Sequence, residues 1–99
     1  MMDRQRVIQT LRAHEPELRA AGVVHLSVFG SVARDEASAS SDVDLMAEFD
    51  NTRRMTLLDM VGLENRLSDI LRIKVDLTPA KSMKARVRER ATQEAILAF

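Results

Sequence analysis

Gly30-Ser31 is followed, after ten intervening residues, by Asp42-Val43-Asp44, and this order constrains the chain more than any other feature. A glycine at the end of a short β-branched run lets backbone approach a ligand closely, because it carries no Cβ. The serine after it opens a helical turn, offering backbone N–H groups and a hydroxyl to a phosphate. Two aspartates two residues apart on a strand point the same way, with Cα atoms about 6.5–7 Å apart. Both carboxylates can then approach one hard cation, or a pair of them. Alone, a Gly-Ser turn is an ordinary strand-to-helix connection, and an Asp-x-Asp pair is usually solvated. Together, with a strand expected on each side, they read as a phosphate cradle beside a divalent-metal site, which is what nucleotidyl transfer requires.

The surrounding residues supply those strands. Val23 to Phe29 is short and rich in β-branched residues, and Gly30 ends it. Ser31 to Arg34 reads as one helical turn, leading into a polar loop from Asp35 to Ser41. Asp42 to Phe49 reads as a second strand, with Val43, Leu45, Ala47 and Phe49 on one face and Asp42, Asp44 and Glu48 on the other. Ile73 to Leu77 reads as a third, stopped by Thr78-Pro79, with Lys74 and Asp76 on its charged face. Helices are expected from Asp3 to Ala21, with Asp3 as N-cap, Gly22 as stop and a break near Glu15 caused by Pro16. A longer one should run from Met55 to Leu71, starting near Thr56 or Asn51, with Leu57, Met60, Leu63, Leu67 and Ile70 on its buried face. Lys81 to Phe99 reads as helical, in two pieces meeting near Thr92. The fold class is α/β (α+β): a small mixed sheet of three to four strands, helices mainly on one face, carboxylates on the open face.

Ninety-nine residues make a single domain, 1–99, with room for one core. Lysine plus arginine equal aspartate plus glutamate at 15 each, so bulk charge does not argue for a nucleic-acid or membrane partner. The distribution is uneven: acids outnumber bases ten to five between Asp35 and Asp76, whereas Lys81 to Arg90 holds five bases and one acid. That asymmetry suits a metal–nucleotide site, an acidic partner surface, or simply a solvated helix face. There is no cysteine, which excludes disulfides and thiolate metal sites. The charged N-terminus lacks the apolar stretch of a signal peptide, and no apolar run is long enough to span a bilayer, so a cytoplasmic protein with no membrane partner is expected. Three phenylalanines are the only aromatics, which is poor equipment for stacking nucleic-acid bases, and direct nucleic-acid binding is not expected.

Arg34, three residues beyond Ser31, could bind phosphate or pair with a nearby acid. His14 and His25 have no metal-ligand spacing to other residues and are read as structural; Met46, Met55 and Met60 are read as filler. Asp76, before a turn, is either a surface carboxylate or a third acid of the site. The helices carry more apolar residues than so small a sheet can cover. An exposed apolar patch around Leu57 to Leu71 and Lys81 to Phe99, closed by Ile96, Leu97 and Phe99, is therefore expected to make an oligomer or a hetero-complex. The competing arrangement folds the C-terminal residues back onto the core side of the sheet.

From Val23 through Phe29-Gly30-Ser31, Ser41-Asp42-Val43-Asp44-Leu45 and Lys74-Val75-Asp76-Leu77, nearly the whole chain resembles the nucleotidyltransferase superfamily to which DNA polymerase beta belongs. Its length and its arginine-rich segment Lys84 to Arg90 resemble the minimal nucleotidyltransferase antitoxins. The resemblance implies a polymerase beta-like fold in which Gly30, Ser31 and Arg34 hold the triphosphate of ATP. It further implies that Asp42, Asp44 and Asp76 hold two Mg²⁺ ions, with Asp76 accepting the proton of the attacking hydroxyl. The partner it implies is a HEPN-domain ribonuclease toxin, which receives AMP on a tyrosine. Two rival readings are an antitoxin that neutralises by binding alone, and a small-molecule nucleotidyltransferase completed by a second chain. Many members carry glycine where this chain has Asp35, followed by Glu36; two acids there would weaken triphosphate binding unless they face solvent.

Overall fold

Among the described residues, three of the four strands form where β-branched residues alternate with polar ones, and a short fourth is added by residues that local pattern assigns to a helix. The computed structural model describes residues 3–34, 42–52 and 54–99. Its elements run α1 (Arg4–Ala13), α2 (Glu15–Ala20), β1 (Val23–Phe29), α3 (Gly30–Ala33), β2 (Val43–Phe49), α4 (Leu57–Leu71), β3 (Val75–Pro79), a 3-10 turn (Ala80–Ser82), α5 (Ala85–Glu94) and β4 (Ile96–Leu97). The sheet order is β3-β2-β1-β4; β1 is antiparallel to β2 and β4, and β2 is parallel to β3. The architecture is a mixed α/β sheet with helices, as the sequence implies.

At the N-terminus, local signals set the elements directly. The Asp3 carboxylate accepts from Arg6 N–H at 2.8 Å and caps α1. Pro16 falls in the first turn of α2, where its missing N–H costs nothing, so the expected break becomes a new helix start after His14. Gly22 ends α2 with φ +106°. In β1 the alternation slips: Val23 pairs with Phe49 and His25 with Glu48, leaving Val24 as the extra residue of a bulge. The bulge lets Val23 and Leu26, three residues apart, both enter the core.

The main core lies on the face of Val43, Leu45 and Ala47. There Val7 and Leu11 of α1, Leu18 of α2 and Leu63, Leu67 and Leu71 of α4 meet Leu26, Val28, Val75 and Leu77 of the sheet. The opposite face is not fully open. Met46 packs with Ala80 and Ala91, joined by Phe29, Met83 and Ala95, so α5 covers the middle of the face that carries the acids.

Helix α4 runs antiparallel to β3 and satisfies its outer edge with side chains. Ser68 Oγ accepts from Val75 N–H at 3.0 Å, and a Glu64 carboxylate oxygen accepts from Leu77 N–H at 2.9 Å. Side chains that occupy these two donors blunt the edge strand as a template for pairing. Thr56 starts the helix with a reciprocal capping box to Asp59. The expected apolar stripe is displaced by one end: Leu71 is buried, whereas Leu57 is 81% exposed. At the start of α4 Leu57 and Leu58 are turned to solvent, whereas Met60 packs against the core.

The C-terminal residues also differ from expectation. α5 stops at Glu94, Ala95 is extended (ψ 144°), and Ile96–Leu97 pairs with Ser27 and Val28 of β1. Ala98 N–H donates to Leu26 O at 2.8 Å, Leu26 N–H to Phe99 O at 3.2 Å, and Arg12 Nε to Ala98 O at 2.6 Å. Ala98 is part of the main core, with Ile96 and Phe99 packed against it. The tail thus folds back onto the sheet, and it is not the exposed docking end that its composition suggests.

The position of α4 has a measurable consequence. Leu67→Ala should destabilise the protein by about 2–5 kcal/mol, the range for a buried leucine. Leu57→Ala should change stability by less than about 0.5 kcal/mol in the same urea unfolding measurement. Equal losses at the two positions would place Leu57 in the core and contradict the fold.

Candidate active site

The acids are brought together by strand register. In the parallel β2–β3 ladder Asp44 stands directly opposite Asp76, on strands about 4.8 Å apart. On its other side Asp44 pairs with Phe29, the residue before Gly30. Asp42 lies one residue before β2 begins, at its mouth. Asp44 is half-buried, while Asp42 and Asp76 are exposed.

Gly30 is required twice over. Its φ is +74°, a region that side chains disfavour. A Cβ built there would overlap the Asp44 carboxylate and stand 3.2 Å from its Cγ. The backbone of the α3 turn therefore lies directly against Asp44, which only glycine permits. Ser31 is in the first turn of α3, and Arg34 closes it by donating its N–H to Gly30 O at 3.1 Å.

Two contacts that local sequence gave no means of finding fix this turn. Arg4 Nη1 donates to Ala33 O at 3.1 Å from α1. Arg34 Nη1 meets Glu94 Oε2 at 3.0 Å, tying the turn to the end of α5 across sixty residues of sequence. Arg34 thus pairs with an acid, one of the two roles open to it, while staying close enough to Asp44 to act on its charge. Lys74 Nζ approaches Asp42 Oδ2 at 3.8 Å, both exposed, a contact of little energetic weight. Asp35 and Glu36 lie outside the described residues.

The electrostatics single out Asp44. Burial pushes its carboxyl pKa up from the ordinary value, the neighbouring charges of Asp76 and then Asp42 push it further, and Arg34 opposes them. Among the described residues no three acids or histidines close into a ligand cage by themselves. A hard divalent cation does not need one: Mg²⁺ takes one or two carboxylates and completes its shell with phosphate oxygens and water. The donor set fits such an ion, since carboxylate oxygens crowded on one side of the sheet repel each other and gain most from a cation. The site is an open face, not a cavity; the largest hollow among those characterised, about 870 Å³, lies toward the other end of β2, near Asp50 and Lys81. His25, on β1, contacts Phe99 O at 3.4 Å, and His14 contacts Thr10 O at 2.9 Å, both away from the acids.

A glycine-opened turn against paired strand carboxylates on a mixed sheet defines the nucleotidyltransferase class of fold. Residues 7–98 match the nucleotidyltransferase domain family, and the chain belongs to it. The protein adenylyltransferase MntA of Thermococcus cleftensis is 34% identical over 97 residues, covering 97% of this chain and 96% of the relative. A solved structure assigned to a minimal nucleotidyltransferase superposes with a TM-score of 0.81 at 37% identity, covering 96% of this chain and 95% of the other. The solved complex of a tri-AMPylated Shewanella oneidensis HEPN toxin with its MNT antitoxin contains a chain that matches in fold alone. Its TM-score is 0.67 at 16% identity, covering 93% and 71%. No helix among the described residues is long and apolar enough to cross a membrane.

The raised pKa of Asp44 fixes the sign of a pH effect. The folded protein takes up a proton at Asp44 at higher pH than the unfolded chain does, so the ionised carboxylate opposes folding at neutral pH. That opposition is relieved as pH falls through the raised folded-state pKa. Asp44→Asn should therefore raise the thermal midpoint at neutral pH in EDTA, and the gain should shrink toward zero in the carboxylate range. A lowered midpoint at neutral pH would contradict the assignment. Gly30→Ala should cost at least about 1 kcal/mol in urea unfolding from its backbone conformation alone, and should impair nucleotide binding as Asp44 is displaced.

Proposed function

We propose that this chain is a Mg²⁺-dependent protein adenylyltransferase that moves AMP from ATP to a tyrosine of a HEPN-type ribonuclease partner in the cytoplasm, and so acts as its antitoxin. The observation that carries this reading is the side-by-side placement of Asp44 and Asp76 against the Gly30 turn. The relative named MntA, aligned along nearly the entire chain, supports the adenylyl group and the protein acceptor. The AMPylated HEPN toxin in the structurally similar complex supports the partner.

In this reading Gly30 and Ser31 present backbone and hydroxyl to the triphosphate, and Arg34 adds positive charge beside them. Asp42 and Asp44, with Asp76, hold the metal, which when bound neutralises charge on the phosphates. Asp76 takes the proton of the acceptor hydroxyl. The hydroxyl oxygen forms a bond to the α-phosphorus, the bond to the β-phosphate bridging oxygen breaks, and pyrophosphate leaves with that electron pair. Catalysis is then mainly positioning. The open acid face suits an acceptor that brings its own surface, as a protein does. A binding-only antitoxin has no need of three carboxylates beside a glycine turn.

Incubation with ATP, Mg²⁺ and the HEPN protein should add adenylyl groups to a tyrosine of that protein, read by mass spectrometry. Asp42→Asn/Asp44→Asn should abolish the modification while the protein remains folded, because exposed and half-buried acids contribute little packing. ATP binding by calorimetry should require the metal. If the double variant still fully protects cells from the toxin, neutralisation is by occlusion and the enzyme reading of the antitoxin role fails.

A further inference from the structure

α5 carries its charges in an order that works against the helix itself. Its N-cap, Lys84, makes no side-chain capping bond, and its first turn holds Arg86 but no acid. A helix N-terminus is the positive end of the macrodipole, where bases are unfavourable. Its last residue is the acid Glu94, at the negative end. Arg86 and Arg90 add a like-charge pair four residues apart, which also opposes the helix. Of its ten residues only Ala91 is buried. Helix energetics do not account for these arginines.

Contacts within the fold do not account for them either. Other arginines work internally: Arg4 holds Ala33 O, Arg12 holds Ala98 O, Arg19 pairs with Glu15 and Arg66 with Glu17. Among the described residues, Arg86, Arg88 and Arg90 have no such partner, and all three are exposed. The acid four residues beyond Arg90 is Glu94, which meets Arg34 at 3.0 Å instead. That pair orients the helix. Glu94 faces the Gly30 turn, so Arg90, and Val87 three residues before it, lie along the same side, with Arg86 one turn from Arg90. Val87 is 54% exposed. The side of α5 nearest the acids is therefore basic, with an apolar residue in its middle.

We propose, on the adenylyltransferase reading of the site, that this side of α5 docks an acidic surface patch of the protein that accepts the adenylyl group. α5 is seated on the acid face of the sheet by Met46, Ala80 and Ala91, so a partner bound to it lies on the same face as Asp44 and Asp76. Those carboxylates repel an acidic partner. The arginines beside them offset that repulsion and fix the direction from which the partner approaches. Arginine around an exposed apolar residue is the composition of a protein interface. A free polyphosphate gains nothing from Val87. A nucleic acid laid across the face would meet the carboxylates with its own phosphates, and α5 offers no aromatic ring for stacking.

Calorimetry with the full chain and the HEPN protein, in the absence of ATP, tests docking apart from chemistry. Arg86→Glu/Arg90→Glu should weaken binding by at least about tenfold, and added NaCl should weaken wild-type binding more than the variant's. The variant should keep its ATP affinity in Mg²⁺, and its urea midpoint should hold or rise, since acids suit a helix N-terminus. In AMP transfer the loss should appear as a raised KM for the acceptor with kcat retained. A variant that binds the HEPN protein as tightly as the wild type overturns the docking surface and leaves the adenylyltransferase reading standing. A wild type that binds through these arginines yet transfers no AMP removes that reading and keeps the surface. Absence of wild-type binding overturns the proposal. So does loss of ATP affinity in the variant, or binding of labelled single-stranded RNA by the wild type through the same arginines.

Discussion

The parallel pairing of β2 with β3 determines the rest of the acid face. It sets Asp76 level with Asp44, and the antiparallel pairing of β2 with β1 sets Phe29 level with the same residue. Since Gly30 follows Phe29 directly, one rung of the sheet brings together the turn and two acids from distant parts of the chain. A one-residue slip in either ladder would send Asp44 or Asp76 into the apolar core and put a leucine or valine on the functional face. The leucine and valine positions of β2 and β3 are all buried, so slippage is opposed by the entire core.

That core accounts for the distribution of order around the acids. α1, α2 and α4 anchor the opposite face, and Arg4 reaches across to hold the end of α3. On the acid face the smaller cluster of Met46, Ala80 and Ala91 seats α5, whose last residue pairs with Arg34. The turn that approaches the carboxylates is thus held from both sides of the sheet. Burial of Asp44, and then crowding by Asp76 and Asp42, raises its pKa, a cost the fold tolerates at the candidate site. A divalent cation beside these carboxylates would offset that repulsion.

Several elements were legible because their causes are local. Asp3 caps α1 through a hydrogen bond three residues long, Pro16 can occupy only a first helical turn, and Gly22 supplies a left-handed stop. The alternation of Val43, Leu45 and Ala47 with Asp44 and Glu48 follows from the pleat of one strand. Elements that failed are those decided by distant partners. Leu57 falls within the apolar stripe read along α4, yet it stays outside the core that Leu63 and Leu67 enter. Ile96 to Phe99 has nothing local against helix, but the free edge of β1 offers hydrogen bonds and a place in the core for Ala98. The bulge at Val24 has no sequence marker, because it resolves a conflict between Val23 and Leu26 that exists only once the core is formed.

The sequence by itself determined the chemistry available: a glycine that admits close backbone approach, a serine after it, and acids spaced to share one face of a strand. These follow from side-chain size and backbone period, which need no knowledge of the rest of the chain. Tertiary structure alone decided that Asp76 stands beside Asp44, that Gly30 lies against the Asp44 carboxylate, and that Glu94 holds Arg34. It also decided which apolar residues of α4 remain outside the core. Each of these is a long-range contact whose partner is selected by strand register and sheet length, and register is an outcome of packing the whole core at once.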